Sequence, residues 1–355
     1  MPESVKRLCK VGFEIVVEAG AGVASGAGDE DYRRAGATIG DSDAAWAADL
    51  VVCVAVPSMD AVARLHEGAA LVSFLFPVQN RPLVEALTAR KVTALAVDLV
   101  PRTTLAQMMD VLSSQATVAG YRAVILAAEA LPRLCPMLVT AAGTLAPARF
   151  LILGAGVAGL QAIATARRLG AVVEAFDVRK IAKEHVESLG ARFIEVPSDE
   201  DAQTASGYAG QVSDEYKAKQ AQLVTAAVGR ADAVITTALI PGKRAPILVT
   251  KEQLAGMRAG SVVVDLAAEQ GGNCEGTRPG ERVVTDGGVT IIGTLNLASE
   301  VAVHASQMYS RNLEKMVLYL QKDGAVIFDG DDEIRRGLIV TRAGQIVHPS
   351  LAVAS

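Results

Sequence analysis

The chain has 355 residues, of which 51% are hydrophobic and 21% charged, and its formal net charge is −5. This length suits two domains with separate cores, and a mildly acidic chain without a basic run argues against nucleic acid or an anionic lipid surface as a direct partner. The four cysteines show neither CxxC spacing nor a neighbouring histidine cluster, so we expect no metal site and no disulfide framework.

The amino terminus, MPESVKRLCKVGFEIVVEAG, has no apolar segment ahead of a cleavage site and does not resemble a signal peptide. No stretch offers about 20 uninterrupted apolar residues, the length that crosses a bilayer. We therefore expect a cytoplasmic chain that does not itself span a membrane.

The amino-terminal third of the chain alternates between helical and strand patterns. In order, we predict a helix over Ser4–Lys10, a strand over Phe13–Val17, an exposed helix around Asp31–Arg34, a buried strand over Leu50–Val56, a helix over Ser58–Leu65, a strand over Ala70–Leu75, a helix over Arg81–Arg90 and a strand over Val92–Val97. Such alternation with near-continuous apolar strands is typical of a parallel sheet covered on both faces.

A long apolar helix is predicted after Pro101, in RTTLAQMMDVLSSQATVAGYRAVILAAEALPR. Its position between two sheets suits a bridge between two domains. Polar side chains at its start, Arg102, Gln107, Asp110 and Ser113, allow two interpretations. In the first, they lie at a domain cleft and meet the nicotinamide end of a cofactor. In the second, they only cap a helix N-terminus and are solvated.

The most informative stretch is RFLILGAGVAGLQAIATARRLGAVVEAFDVR, from Arg149 to Arg179. An apolar strand enters a turn with Gly154, Gly156 and Gly159 in GxGxxG spacing, and a helix follows. Gly154 permits the tight turn, Gly156 lets a pyrophosphate approach the backbone, and Gly159 lets the helix pack on the strand. The phosphates would then meet the free amides at the start of the helix.

A second strand, Val172–Phe176, ends on Asp177, about 20 residues beyond the first glycine, where dinucleotide folds carry the acid that binds the ribose. A carboxylate there repels a 2′-phosphate, so we predict a preference for NAD(H) over NADP(H). Arg179, two residues further along, carries a positive charge that favours a 2′-phosphate, so the predicted preference for NAD(H) is not absolute.

The second sheet continues beyond this point. We predict a helix over Ile181–Leu189, a strand over Arg192–Val196, a helix over Lys217–Val228, strands over Ala233–Thr237, Ser261–Leu266 and Thr290–Gly293, a helix over Ser299–Leu320 and a tail of short strands and turns. The polar stretch PSDEDAQTASGYAGQVSDEY is too long for a routine connection and favours a mobile lid.

Ligands of doubly wound sheets lie beyond the carboxyl ends of the strands, so residues there are candidates. Thr236 to Ile240, which includes Thr237, Ala238 and Leu239, is either a ligand-contacting loop or a plain connection. Asp265 is a possible general base, but a cap or loop anchor is the simpler interpretation.

The four histidines, His66, His185, His304 and His348, are scattered, and none follows a strand where it could act as an acid or base. Oxidation of an alcohol or amine needs such a proton acceptor. Direct hydride exchange between two nicotinamides needs only distance, orientation and exclusion of water.

These residues resemble the NAD(H)-binding component of the proton-translocating nicotinamide nucleotide transhydrogenases, relatives of alanine dehydrogenase. The resemblance runs from about residue 5 to the tail and rests on strings such as PRTTLAQMMDVLSSQATVAGYRAV, MLVTAAGTLAPARFLILGAGVAGLQAIATARRLGA, ADAVITTALIPGKRAPILVT, GSVVVDLAAEQGGNC and TRAGQIVHP.

The resemblance implies a set of site residues. Implied catalytic residues are Arg102, Gln107, Asp110, Ser113 and Tyr208. Implied cofactor contacts are Arg102, Thr103, Thr104, Leu105, Gln107, Gly154, Gly156, Val157, Gly159, Asp177, Val178, Arg179, Gly207, Gln220, Thr237, Ala238 and Leu239, with Gly207, Tyr208 and Gln220 in a loop that closes over the nucleotide.

Alanine dehydrogenase is the alternative, because it shares the fold and the cofactor. Its pattern has a lysine before the proline of the second strand and a histidine after the next strand, and these hold and protonate the keto acid. Here the strings are CVAVPS and SFLFPVQN, which place Ala55 and Phe76 at those positions. Amino-acid oxidation is therefore chemically unsupported.

The resemblance implies two doubly wound parallel-sheet (Rossmann-like) domains around a cleft, residues 1–118 with 305–355 and residues 119–304. It also implies a homodimer, a partner beta subunit that binds NADP(H), and a membrane subunit that couples hydride transfer to proton movement. Family members begin with about twenty further residues, so either the start codon is placed late or the sheet of the first domain lacks a strand and exposes an apolar edge. An NAD(H) sensor without turnover, or an inactive truncation, is the other class of function.

Overall fold

The computed structural model describes residues 1–195, 214–240, 243–322 and 324–351, with the backbone alone for 214–217. The chain divides into two compact units. Unit 1 combines Met1–Gln115 with Ala302–Ser355, and unit 2 is Ala116–Val301.

The first segment of unit 1 alternates helices and strands, as the sequence predicts. Its elements are α1 (Pro2–Lys10), β1 (Val16–Glu18), α2 (Asp29–Ala35), β2 (Thr38–Gly40), α3 (Ser42–Trp46), β3 (Leu50–Val52), α4 (Met59–Arg64), β4 (Ala70–Ser73), α5 (Arg81–Ala89) and β5 (Thr93–Ala96), with 3-10 turns over Val23–Ser25, Val97–Leu99 and Gln107–Met109. Helix α6 (Val111–Ala130) then leads from unit 1 into unit 2.

Unit 2 contains the glycine turn and the larger sheet. Its elements are β6 (Leu138–Thr140), β7 (Gly143–Leu145), β8 (Arg149–Leu153), α7 (Val157–Arg168), β9 (Val172–Phe176), α8 (Ala182–Ser188), β10 (Arg192–Phe193), α9 (Asp214–Arg230), β11 (Ala233–Thr236), α10 (Lys251–Ala255), β12 (Val262–Asp265), β13 (Arg282–Val284) and β14 (Thr290–Gly293), with 3-10 turns over Ala268–Gln270 and Leu297–Val301.

The chain then returns to unit 1. The last elements are α11 (Ala302–Leu320), β15 (Gln321–Lys322), β16 (Ala325–Val326), α12 (Glu333–Leu338), β17 (Ile339–Arg342), β18 (Gln345–Ile346) and a 3-10 turn over Pro349–Leu351.

The seven-stranded sheet of unit 2 has the order β10-β9-β8-β11-β12-β14-β13 and is parallel except for β13. Two apolar clusters cover its two faces, with Phe150 and Ile152 of β8 in one and Leu151 and Leu153 in the other. Successive residues of a strand point to opposite faces, so a strand buried on both sides must be apolar throughout. The predicted doubly wound, Rossmann-like fold is confirmed.

Unit 1 contains a smaller, mixed sheet with the order β18-β17-β5-β4-β3. Strands β3, β4 and β5 are parallel, and β17 from the tail pairs antiparallel with β5. Strands β1 and β2 pair with each other in a separate two-stranded sheet.

The prediction of a buried strand over Leu50–Val56 is wrong in extent and in burial. The strand ends at Val52, and β3 is the edge of its sheet, so on one side no strand of the described residues pairs with it. Val52 is 45% exposed and Val54 is 58% exposed. An apolar run alone does not distinguish a central strand from an edge strand.

Helix α6 is the one helix among the described residues that is long and apolar enough to cross a membrane by length and composition, with a mean hydropathy of 1.2. Core helices of soluble proteins meet the same criterion. In unit 2, Ala123, Val124 and Ala127 of this helix are fully buried in the cluster that includes Phe150.

Candidate functional site

The glycine turn lies between β8 and α7, at the carboxyl end of the central strand. Gly154 has a φ of +103°, a left-handed conformation that side chains disfavour. A Cβ on this residue would also lie only 2.5 Å from the Thr237 hydroxyl. The sequence requires glycine here both for the backbone angle and for the neighbouring loop.

The other two glycines differ in their surroundings. A Cβ on Gly159 would lie 1.8 Å from the carbonyl oxygen of Gly154, so the helix packs directly against the turn. A Cβ on Gly156 would have no heavy atom of the described residues within 4 Å, so among them open space lies beside the backbone at the start of α7. The first amides of a helix have no partner within it, and their positive end favours anions. This geometry suits a pyrophosphate.

Asp177 follows β9 directly, and its side chain is 7% exposed. Oδ1 accepts hydrogen bonds from the Arg179 amide and Arg179 Nε, both at 2.9 Å. Oδ2 accepts from the Ala155 amide at 2.7 Å and from Arg179 Nη2 at 2.9 Å. Burial alone would raise the pKa of Asp177, but these hydrogen bonds outweigh it and hold the pKa below its ordinary value.

The loop after β11 is attached to the glycine turn. Thr237 donates its hydroxyl to the carbonyl oxygen of Gly154 at 3.0 Å. Val157, at the start of α7, is 43% exposed, and Leu239 is 45% exposed. Val178 is half-buried against the core. The structure thus brings together, at the carboxyl ends of β8, β9 and β11, those predicted residues of unit 2 that lie in the glycine turn, after β9 and in this loop.

Asp265, at the end of β12, is an anchor of loops, the simpler of its two interpretations. It is completely buried. Oδ1 accepts from the Thr236 hydroxyl at 3.0 Å and the Ala267 amide at 2.9 Å. Oδ2 accepts from the Asn273 amide at 2.8 Å, the Cys274 amide at 3.1 Å and the Thr277 hydroxyl at 2.7 Å.

Asn273 is a positioning residue that the sequence analysis missed. It is completely buried. Its Oδ1 accepts from the Ala238 amide at 3.0 Å, and its Nδ2 donates to the Ala238 carbonyl at 2.9 Å and to the Pro246 carbonyl at 2.7 Å. The sequence signal that could have pointed to Asn273 was the preceding pair Gly271 and Gly272. Both have positive φ and so form a turn just before it.

The polar residues predicted in unit 1 lie around the start of α6. Asp110 caps this helix, because its Oδ1 accepts from the Ser113 amide at 2.9 Å and its Oδ2 accepts from the Ser113 hydroxyl at 2.6 Å. This is the plainer of the two interpretations of Asp110 and Ser113. The preceding turn is attached to α11, where Asn312 donates to the Met108 carbonyl at 2.8 Å.

The rest of this segment is largely accessible. Arg102, Thr104 and Gln107 are exposed, Leu105 is 62% exposed, and Thr103 is half-buried. The side chains that the resemblance assigns to cofactor contact are thus available on the surface of unit 1. Their roles stay predictions.

Three predicted residues belong to the lid. Gly207 and Tyr208 lie outside the described residues, as does nearly all of the polar stretch. Gln220 is half-buried on α9. That helix begins at Asp214, three residues earlier than predicted.

The strand ends of unit 1 differ from the alanine dehydrogenase pattern. Ala55 follows β3, and its carbonyl accepts from the Ser73 hydroxyl at 2.8 Å. Phe76 follows β4 with a φ of +43°, and its amide donates to the half-buried Asp98 carboxylate at 3.1 Å. Neither Ala55 nor Phe76 carries a group that can transfer a proton. Among the described residues no cluster of His, Cys, Asp or Glu could hold a metal ion.

Comparisons with known proteins cover both units. Residues 1–119 match the family described as "Alanine dehydrogenase/PNT, N-terminal domain", and residues 123–349 match "Alanine dehydrogenase/PNT, C-terminal domain".

Curated relatives and a solved structure agree with this. The chain is 50% identical to the first portion of the NAD(P) transhydrogenase alpha subunit of Rhodospirillum rubrum, over 99% of this chain and 94% of the relative. It is 32% identical to an alanine dehydrogenase of Mycobacterium tuberculosis, over 78% of this chain and 70% of the relative. The crystal structure of transhydrogenase from Sinorhizobium meliloti has a TM-score of 0.90 at 46% identity, covering 98% of this chain and 95% of that one.

Proposed function

Since this chain belongs to the alanine dehydrogenase/PNT family, we propose that it is the NAD(H)-binding component of a proton-translocating transhydrogenase. A hydride passes directly between NADH on this chain and NADP+ on a partner beta subunit. A membrane subunit couples that transfer to proton translocation.

The site in unit 2 supports the cofactor assignment. The open backbone at Gly156 and the first amides of α7 would hold the pyrophosphate, and the Asp177 carboxylate would bind the adenosine ribose. A 2′-phosphate next to that carboxylate is disfavoured by like charge. The exposed side chains of Val157 and Leu239 would contact the adenine.

The observation that carries the proposal is the pair of residues after β3 and β4. Oxidation of an amino acid requires a side chain that accepts a proton from the substrate. Ala55 and Phe76 supply none where the alanine dehydrogenase pattern has lysine and histidine. Exchange of a hydride between two nicotinamides makes no such demand, because positioning and exclusion of water suffice.

In unit 1, the resemblance assigns a second group of cofactor contacts to the exposed segment before α6. Arg102 and Gln107 would contact the nicotinamide side and the face of the NADP(H)-binding partner. Asp110 and Ser113 fix the first turn of α6 and so position this segment.

We also propose a homodimer that is peripheral to the inner membrane and held there, on the cytoplasmic side, by the partner subunits. The hairpin formed by β6 and β7 in unit 2 supports the dimer. Val139 is 68% exposed and Leu145 is 53% exposed on its strands, and Met137, just before it, is 61% exposed. Apolar side chains grouped in this way are typical of protein interfaces.

The central experiment mixes the purified chain with NADH, the NADP(H)-binding partner and an oxidised nicotinamide analogue whose reduction is followed spectroscopically. We expect transfer that depends on both proteins, and no NADH formation when the chain alone receives alanine and NAD+. Binding of NADH without transfer would favour a sensor, and alanine-dependent NADH formation would favour the dehydrogenase.

Gln107→Ala tests the role of the exposed segment. If Gln107 lies at the nicotinamide, this variant slows transfer far more than it weakens NADH binding. Gln345→Ala, at an exposed glutamine on β18 of the same unit, is the control and should change neither. Equal losses of binding and transfer would argue against the assignment of Gln107.

A further inference from the structure

The carboxylate that would bind the ribose is already fully engaged within the protein. A carboxylate has about four acceptor positions. Two at Asp177 are taken by backbone amides and two by the guanidinium of Arg179, at distances between 2.7 and 2.9 Å. A ribose diol can donate to Asp177 only if some of these donors leave.

The four donors differ in their freedom to move. The Ala155 amide belongs to the glycine turn, where Gly154 donates to the Phe176 carbonyl at 2.8 Å and accepts from Thr237. The Arg179 amide is two residues from Asp177 in the same turn. Only the guanidinium, among these donors, is on a flexible side chain, and that side chain is 31% exposed.

We propose that the guanidinium of Arg179 occupies the ribose-binding positions of Asp177 and is displaced when NADH binds, so that Arg179 sets both the affinity of the site and its choice of cofactor. This inference rests on the proposed binding of NAD(H) in unit 2. It makes Arg179 a competitor of the ribose hydroxyls as well as their neighbour.

The same ion pair determines how strongly NADPH is excluded. Without Arg179, the negative charge of Asp177 would act on a 2′-phosphate with no nearby compensation, and repulsion would increase. With Arg179 present, a guanidinium close to the same position offsets part of that repulsion. Removal of Arg179 therefore has opposite effects on the two cofactors.

The test uses the full chain and Arg179→Gln, with binding measured by the fluorescence of the reduced nicotinamide. Loss of a competing charge-assisted pair is expected to lower the Kd for NADH about three- to tenfold and to raise the Kd for NADPH by about the same factor. An NADH analogue with a 2′-deoxyadenosine ribose competes less with the guanidinium, so its Kd should fall by a smaller factor.

Arg192→Gln is the matched control. Arg192 also pairs with a carboxylate of unit 2, Glu174 at 3.4 Å, but its side chain is 76% exposed and lies away from Asp177 on β10. All three Kd values should stay unchanged in this variant. Arg179→Lys keeps the positive charge but cannot form bidentate hydrogen bonds to the carboxylate. It should shift the NADH Kd in the same direction as Arg179→Gln but by less.

The outcomes separate this inference from the proposed function. If the unsubstituted chain does not bind NADH, the proposed function fails. If it binds NADH but Arg179→Gln weakens NADH and the 2′-deoxy analogue equally, Arg179 is an ordinary contact and the competition is overturned. The competition would also be overturned if the ratio of the Kd for NADH to the Kd for the 2′-deoxy analogue were the same in Arg179→Gln as in the unsubstituted chain.

Discussion

Strands β9 and β12 of the same sheet both lead to an aspartate, yet the two carboxylates have different surroundings. Asp265 is completely buried and accepts hydrogen bonds from five donors, one at the end of β11 and four in the loop that follows β12. Asp177 is slightly exposed and shares its oxygens between two backbone amides and one flexible guanidinium. A carboxylate surrounded by fixed donors holds the fold, whereas one with a displaceable donor is suited to bind a ligand.

Asp265→Ala should have the largest effect. Five buried donors would lose their acceptor, and a lost network of this kind costs about 3–5 kcal/mol of unfolding free energy. Urea denaturation of the purified variant measures this loss. Asp286→Ala, at an exposed aspartate in the same unit, is the control. A change below about 1 kcal/mol would contradict the anchoring role.

Asp177→Ala should affect binding more than folding. Loss of the hydrogen bonds to the ribose should weaken NADH binding by about 1.5–3 kcal/mol, roughly ten- to a hundredfold in Kd. Its unfolding free energy should fall by less than that of Asp265→Ala. If NADH affinity stayed unchanged while NADPH remained excluded, the assignment of Asp177 to the ribose would be wrong.

Two adjacent threonines separate the effects on folding from those on binding. Thr236 donates its hydroxyl to Asp265, and Thr237 donates to the Gly154 carbonyl. Each replacement by valine keeps the shape and removes one hydrogen bond worth about 0.5–1.5 kcal/mol. Thr236→Val should lower the unfolding free energy and leave the NADH Kd nearly unchanged, whereas Thr237→Val should raise that Kd. Titration calorimetry measures the NADH Kd of both variants, and urea denaturation measures their unfolding free energy. If both variants changed the two quantities alike, the distinction between an anchoring and a ligand-binding carboxylate would be wrong.

The smallest effect concerns pH. Hydrogen bonds hold the pKa of Asp177 below its ordinary value, so its ionised form stabilises the fold at any pH above that ordinary value. The difference in unfolding free energy between the unsubstituted chain and Asp177→Asn should therefore stay constant from about pH 8 to 5 and shrink below about pH 4. A difference that already shrinks near neutral pH would contradict this.

The sequence predicted best what short-range spacing determines. The strands Val172–Phe176 and Thr290–Gly293 have the predicted bounds, and the glycine turn lies where its spacing placed it. Turn geometry and apolar runs are encoded within a few residues, so these elements need no knowledge of distant contacts.

The elements that were missed depend on distant regions of the chain. Strand β3 looks like a central strand until its place in the sheet is known, and the hairpin over Leu138–Leu145 was not predicted. Asn273 bonds to Ala238, which lies 35 residues earlier, and the neighbouring pair Gly271 and Gly272 indicates a turn but not that contact. The site residues taken from the resemblance, and the domain limits at 118 and 304, stay predictions.

The double attachment of the loop after β11 has a kinetic consequence. Thr237 and Asn273 hold that loop before any nucleotide arrives, so little backbone ordering is required on the adenine side. Association is slower where binding requires a conformational change, so a loop that is already in place avoids that delay. Nucleotide binding on this side of the site should therefore require the Arg179 side chain to move but no coupled folding of the backbone.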